Sequence, residues 1–300
     1  MRVFLTGASG FIGSRILTEL LAAGHQVIGL ARSESSAQAL SRAGAEVHRG
    51  TLDDPGTLAA GAERADAVIH TAFDHDFHRF AENCDKDRRV IHAMGQALKG
   101  SDRPLIVTSG TGIGDDGATA IAQEHQFKAG NANPRVATEL EGNALLAEGV
   151  NVRVVRLPQV HDTRRQGLIT WYIQHAMEKG VVACIGDGDN RWSAAHISDV
   201  AVLYRRVLEE GENGKRYHAV AEEGVPLRQI AEIVARKLNL PLISLSPSEA
   251  EAHFGWFAIF AAMDLRASST WTRQQLGWHP AGPGLLEDLQ NMDYATLATG

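Results

Sequence analysis

The most constraining stretch of this chain is Thr6-Gly7-Ala8-Ser9-Gly10-Phe11-Ile12-Gly13. It lies between a short apolar run, Arg2 to Thr6, and a segment in which Ile16, Leu17, Leu20 and Leu21 recur at helical spacing. Glycines three apart let a strand turn sharply into a helix. They also bring backbone N–H groups against an anion and let the helix pack closely on the strand. The helix N-terminus adds partial positive charge, favouring an anionic group by roughly 0.3–1 kcal/mol. A lone glycine triplet is also found in ordinary strand-to-helix turns. At the head of a βαβ series it reads as a cradle for the pyrophosphate of a dinucleotide, with Gly7, Ser9, Gly10, Phe11, Ile12 and Gly13 as contact residues.

That series is legible downstream. Short β-branched runs at Gln26 to Leu30, Glu46 to Arg49, Ala67 to Thr71, Leu105 to Ser109 and Asn151 to Arg156 alternate with helical patterns. The last of these patterns, Val136 to Glu148, is followed by Gly149 as an αL cap. The expected fold class is α/β, a doubly wound parallel sheet covered on both faces. Beyond Pro158 the alternation loosens into glycine turns such as Gly186-Asp187-Gly188, then helical patterns at Ser198 to Glu210 and Pro226 to Leu238. Residues 1–157 read as the dinucleotide-binding core. Residues 158–300 read as a smaller C-terminal substrate lobe that partly returns to that core, with no Pro, Gly or Ser linker between them.

Composition narrows the partners. There are 36 acidic residues against 29 basic ones, a formal charge of −7, and no Lys/Arg run to track a phosphate backbone, so nucleic acid is not expected. Two cysteines, Cys84 and Cys184, suit a reducing compartment and leave no cysteine-rich metal module. The sequence starts directly with a strand pattern, and the apolar stretch Phe254 to Met263 is far short of the roughly 20 residues of a membrane span. A cytoplasmic location, a small-molecule substrate and a homodimer are expected, without a membrane partner.

The glycine loop and four further stretches resemble the extended and atypical short-chain dehydrogenases/reductases, a superfamily of NAD(P)-dependent sugar epimerases, dehydratases and ketoreductases with a Rossmann-type sheet. The resemblance covers most of the chain. Asp53-Asp54 is similar to an acidic pair whose first member contacts adenine, which implies adenine contacts for Asp53 and its neighbour Leu52. Either aspartate also suits a helix N-cap. Ala67 to Ala72 resembles the fourth strand, whose end lies along the cofactor, implying contacts from Thr71 and Ala72. Arg156-Leu157-Pro158-Gln159-Val160 resembles the segment bordering the nicotinamide, implying Pro158 and Gln159. His196-Ile197-Ser198-Asp199-Val200-Ala201 resembles a stretch opening a late helix; tying the second lobe to the sheet is the preferred role of His196 and Asp199 over substrate contact.

In these enzymes a Tyr-x-x-x-Lys pair delivers the proton, and a Ser or Thr after the fifth strand orients the carbonyl. Val107-Thr108-Ser109-Gly110 resembles that strand end, so Ser109 falls on the catalytic serine, with Thr108 beside the cofactor. The pair itself is missing: Pro134 or Arg135 stands where tyrosine belongs and Thr138 or Glu139 where lysine belongs. None of the four tyrosines precedes a lysine by four residues. Arg135 is the nearby cation able to reach an oxygen, although arginine holds its proton and is a poor acid. His161, just past Gln159, is a candidate to face substrate.

After the second strand comes Ala31-Arg32-Ser33, with no acidic residue to hold the ribose 2′-hydroxyl of NAD. Arg32 and Ser33 are placed to meet the 2′-phosphate of NADP, which makes NADP the expected cofactor, NAD remaining open. Asp74, His75, Asp76 and His78 read as a solvated or substrate-rim loop rather than a metal site. The aromatic segment His253 to Phe260 packs between helices or lines an apolar pocket. Sugar-nucleotide enzymes place a diphosphate-binding arginine where this chain has Trp192, with Arg191 one residue early. The implied activity is therefore hydride transfer between a nicotinamide and a small, apolar or aromatic carbonyl or alcohol. The alternatives are a non-catalytic NAD(P)-binding sensor or scaffold and a sugar-nucleotide epimerase or dehydratase.

Overall fold

A computed structural model describes residues 1–115 and 121–297. Its strands are β1 (Arg2–Thr6), β2 (Gln26–Ala31), β3 (Glu46–Arg49), β4 (Ala67–His70), β5 (Leu105–Gly110), β6 (Val152–Leu157), β7 (Gln159–His161), β8 (Val182–Ile185), β9 (Arg191–His196), β10 (Arg216–His218), β11 (Glu222–Pro226) and β12 (Leu242–Leu245). The helices used below are α1 (Phe11–Ala22), α2 (Glu34–Arg42), α3 (Pro55–Glu63), α4 (Phe80–Leu98), α5 (Val136–Ala147), α6 (Leu168–Lys179), α7 (Ile197–Glu210), α8 (Leu227–Leu238) and, further on, Leu285–Asn291.

Seven strands form one parallel sheet in the order β10-β6-β5-β4-β1-β2-β3. Because alternate side chains of a strand point to opposite faces, each strand feeds two cores. Val3, Leu5, Ile69, Ile106 and Val155 join Ile16, Leu20, Leu203 and Tyr204 on the face covered by α1 and α7. Phe4, Val68, Leu105, Val107 and Val154 join Leu58, Ile91, Met94 and Leu145 on the face covered by α3, α4 and α5. Strand order reverses direction at β1, which lies between β2 and β4, so the crevice that accepts a ligand in such sheets opens at the carboxyl ends of β1 and β4. Thr6 and His70 are register partners at that point.

Pro158, which has no N–H to continue the ladder, separates β6 from β7. From there the chain builds a three-stranded sheet, β11-β9-β7, and a parallel pair, β12-β8. These enclose a third core around Tyr172, Trp192, Ile230, Phe254, Phe257 and Leu289. Residues beyond 157 also return to the first lobe. β10 pairs with β6, and α7 packs along α1.

The sheet's outer end is locked by charge. Arg156 on β6 has no exposed surface and grips Glu139 of α5 with two bonds, Nε to Oε1 at 2.7 Å and Nη2 to Oε2 at 2.8 Å. Arg216 of β10 donates to the same carboxylate at 2.7 Å. Burial pushes the Glu139 carboxyl up, but the two arginines outweigh it and hold it below the ordinary carboxylate value. Arg156 also donates to the carbonyls of Gln123 and Gln126 and to His218 Nε2. Burial, reinforced by Arg156, drives His218 down to about 3, so the ring is a neutral acceptor there. Removing one partner leaves buried cations without an anion, which costs about 3–5 kcal/mol. Glu139→Ala is therefore expected to lower the unfolding free energy by that much, read as a lower urea midpoint at an unchanged slope, and a loss below about 1 kcal/mol, the worth of an exposed pair, would contradict this clamp.

Candidate active site

The glycine loop closes on itself. Gly7 takes a positive φ of 69°, its carbonyl accepts the Gly10 N–H at 2.8 Å, and α1 starts directly after Gly10. A Cβ on Gly13 would lie 2.1 Å from the Gly7 oxygen, and one on Gly7 would lie 2.8 Å from Ala72 N and Thr71 Oγ1. Only glycine fits at either place. Gly10 differs: it is exposed, has an ordinary extended conformation, and a Cβ there would meet only the Gly7 oxygen, at 3.1 Å. Its space is open on the side where a ligand would lie. Ser9 is exposed, and Phe11 and Ile12 are partly buried at the start of α1. This cradle fits a dinucleotide, since a pyrophosphate needs that close backbone approach.

Behind the loop runs a buried polar chain. Thr6 Oγ1 accepts the N–H groups of Thr71 and Ala72 at 3.1 and 3.2 Å and meets His70 Nδ1 at 2.7 Å. Two acceptances leave the hydroxyl its proton to give, so it donates to Nδ1, and His70 Nε2–H donates to Asp87 Oδ1 at 2.9 Å. Asp87, on α4 and 1% exposed, also accepts from Thr138 Oγ1 at 2.6 Å and Arg135 Nη1 at 2.8 Å. Burial raises its carboxyl, but Arg135, His70 and Thr138 together outweigh that and hold it below the ordinary value.

Arg135 thus stands at the head of α5 with its guanidinium on Asp87, on the carbonyl of Thr108 at 2.8 Å, and over the Phe73 ring at 4.1 Å. Thr108 Oγ1 donates to the His70 carbonyl and meets Tyr204 OH at 2.6 Å. Ser109, the next residue, is buried, and its Oγ has no hydrogen-bond partner. Gln159 Nε2 is likewise buried and unpartnered, while its Oε1 accepts the Leu168 N–H. Pro158 is half-buried beside it. Unpaired buried polar atoms are costly, so Ser109 and Gln159 are candidates to meet a ligand, as is the buried Nε2 of His161.

The remaining candidates are distributed around this centre. Arg32 is exposed at the end of β2 and makes no side-chain hydrogen bond or ion pair among the described residues. Ser33 caps α2, accepting the Ser36 N–H at 3.1 Å. Asp53 is exposed and paired with Lys86 at 2.9 Å, Leu52 packs under it on the core, and Asp54 is the N-cap of α3. His161 is placed in the interior of the second lobe rather than on an open surface. Its Nδ1 bonds Asp288 at 2.7 Å and its buried Nε2 has no partner. Burial keeps His161 below its ordinary value, although Asp288 opposes this. Glu139, at one of the two positions expected for lysine, belongs to the Arg156 clamp. Asp199 binds the backbone of Ala281 and Gly282, and His196 caps α7, so both brace the second lobe.

Around the 72–80 loop, Asp74 pairs with Lys86 and Asp76 caps a short turn through the His78 N–H. Among the described residues no group of three or more His, Cys, Asp or Glu is arranged to hold a metal ion. The loop instead supplies aromatic surface. Phe77 stacks on Trp256 of the second lobe, centroids 4.8 Å apart, and meets Trp171 of α6 and Phe260 edge-on. Phe73, His75, Phe77 and Phe80 touch in series. The aromatic segment is therefore split: Phe254 and Phe257 are core, whereas Trp256 and Phe260 face the first lobe's loop. Trp256 also lines a groove of about 1150 Å³ bordered by Asp187, Asp189 and Glu251, to which Ser109 and Arg135 do not belong.

The family model for the NAD dependent epimerase/dehydratase family matches residues 3–221. The chain belongs to this family. The uncharacterized protein C2A9.02 of Schizosaccharomyces pombe is 43% identical over 298 residues, 98% of this chain and 100% of that one. The sterol-4-alpha-carboxylate 3-dehydrogenase, decarboxylating, of Dictyostelium discoideum is 27% identical over 242 residues, 76% of this chain and 73% of that one. Among solved structures, DesIV from Streptomyces venezuelae, a dTDP-glucose 4,6-dehydratase with NAD and TYD bound, superposes with a TM-score of 0.75. The identity is 19%, over 97% of this chain and 96% of that one, a likeness of fold. No helix among the described residues is long and apolar enough to cross a membrane.

Sequence reasoning missed His70, Asp87 and Thr138 as parts of the site. A signal was present for Asp87: an acidic residue among Cys84, Val90, Ile91 and Met94, on the buried stripe of an amphipathic helix, needs a buried partner. The contrast between glycines gives a test. Gly10→Val is expected to cost less thermal stability than a substitution at Gly13 while weakening dinucleotide binding at least about tenfold, because a side chain there stands where the backbone must approach the pyrophosphate. Gly13→Ala should lower the unfolding temperature itself. Equal calorimetric affinity for Gly10→Val and the parent would remove the cradle from the loop.

Proposed function

We propose that this family member reduces a small carbonyl compound of apolar or aromatic character, drawing on NADP(H) in preference to NAD(H). The observation that carries the reading is the buried, unpartnered Ser109 hydroxyl, one residue past the carbonyl on which the Arg135 guanidinium rests. A bound nicotinamide would supply the hydride. Ser109 and Arg135 both donate hydrogen bonds, so together they hold the oxygen that gains charge as the carbonyl is reduced. Neither needs to lose a proton to do so. A guanidinium is a poor acid, so the proton that completes the alcohol comes from solvent water.

The substrate class follows from the walls. Phe73 lies under Arg135, and Phe77, Trp171, Trp256 and Phe260 continue outward from it, an apolar face suited to a flat or aliphatic group. Trp192 is buried with its Nε1 on the Met263 carbonyl, so no cation occupies the place expected of a diphosphate anchor, which disfavours a sugar nucleotide. The two unpaired, buried cysteines suit a reducing, cytoplasmic setting. One observation favours the sensor alternative: Arg135 and Thr138, near the positions where the proton-delivering pair is expected, are engaged with Asp87.

Cofactor preference rests on Arg32. Nearby Arg49 is committed to Glu34 and the Ser33 carbonyl, which leaves Arg32 as the unpaired cation at the end of β2. A charge-assisted bond to a 2′-phosphate is worth about 1.5–3 kcal/mol, on the order of tenfold or more in affinity. NADPH is expected to bind at least about tenfold more tightly than NADH, and Arg32→Ala to erase the difference. Equal or tighter NADH binding by the parent refutes the preference. For the activity, aromatic and aliphatic aldehydes and ketones are screened with NADPH by absorbance. Ser109→Ala should lower kcat by about 10²-fold, the usual cost of an oxyanion donor. Tight NADPH binding with no turnover on any carbonyl would transfer the reading to the sensor.

A further inference from the structure

The guanidinium of Arg135 is not free to choose its position. Its side chain is 14% exposed, two of its N–H donors are spent on Asp87 Oδ2 and the Thr108 carbonyl, and the Cys84 thiol also lies against it. Phe73 covers one face of the plane. A guanidinium carries five N–H donors in a rigid fork, so fixing two of them fixes the direction of the rest. The anchor is Asp87, and Asp87 is itself fixed, since His70 fills Oδ1 and Thr138 shares Oδ2. His70 in turn bonds Thr6, the residue before the glycine loop.

We propose that Asp87 is a positioning residue, holding Arg135 at the Ser109 end of the cleft so that the remaining guanidinium donors meet the oxygen of the reacting group. That Arg135 meets a reacting oxygen rests on the reductase reading; that Asp87 places the guanidinium does not. The carboxylate touches no ligand and moves no proton. With the charge of Asp87 removed, nothing neutralises the guanidinium in its buried seat, and the side chain turns out toward solvent.

The test replaces the side chain by its head group. Arg135→Ala opens a seat bounded by Asp87, the Thr108 carbonyl and Phe73, and guanidinium ion at low millimolar concentration is the probe. Urea, of the same shape without the charge, is the control. On the best carbonyl from the screen, Arg135→Ala is expected to lose about 10²-fold in kcat with the KM for NADPH unchanged. Guanidinium should restore activity saturably in Arg135→Ala, urea should not, and the double variant Asp87→Asn/Arg135→Ala should not respond. Asp87→Asn alone should lower kcat on the order of tenfold. Thermal unfolding repeats the test without any substrate: guanidinium should raise Tm saturably in Arg135→Ala and not in the double variant, which has lost both buried charges together and so folds without an orphaned ion. If no carbonyl is turned over, the reductase reading fails, and the Tm comparison still decides the role of Asp87. Equal guanidinium responses with and without Asp87, in activity or in Tm, would overturn the proposal.

Discussion

A carboxylate removed from water has to be answered on every side, and Asp87 sets that requirement at the centre of this protein. Its oxygens take three donors from two different elements: His70 at the end of β4, and Arg135 and Thr138 from the first turn of α5. An unpaired buried carboxylate costs several kcal/mol, so these donors cannot drift apart without a large penalty. The same requirement aligns the strand ends. His70 is held from the other side by Thr6, and Thr6 also gathers the Thr71 and Ala72 amides that follow β4. One buried charge thereby fixes the distance between the glycine loop and the Ser109 end of the cleft.

The candidate site is made of two contrasting kinds of group. On the sheet side Ser109 Oγ and Gln159 Nε2 are buried and without a partner. On the outer side aromatic rings from the 72–80 loop meet Trp171 and Trp256. Trp171 is 44% exposed.

What could be read from sequence follows the range of the interactions. The six core strands and the helix over 136–148 were set by local periodicity, and their observed bounds differ by a residue or so, as where β2 runs on to Ala31 and α5 stops at Ala147. The glycine loop is local as well, because its constraints lie within Gly7 to Gly13. The pairing of β8 with β12, and of β10 with β6, joins residues about 60 apart, and no local pattern names such partners. The same holds for Asp87, whose partner Arg135 is 48 residues away. His161 shows the same limit: its Nδ1 partner, Asp288, lies 127 residues further on, and its buried Nε2 is left without a partner.

The return of β10 and α7 to the first lobe bears on how this chain is made. β10 closes the edge of the large sheet, and α7 covers a face that includes Ile16, Leu20 and Val155. Both lie after residue 195, so a nascent chain that has emerged only through β6 holds a sheet with one apolar face only partly covered, by α1 and α2, and one edge unpaired. The sheet cannot be finished until the strands β7, β8 and β9 have been threaded out and back, which places much of its stability in contacts of long sequence separation. Synthesis of this protein therefore includes an interval in which the first lobe is sticky, and exchanging second lobes between relatives would succeed only if α7 and β10 stayed with the sheet they complete.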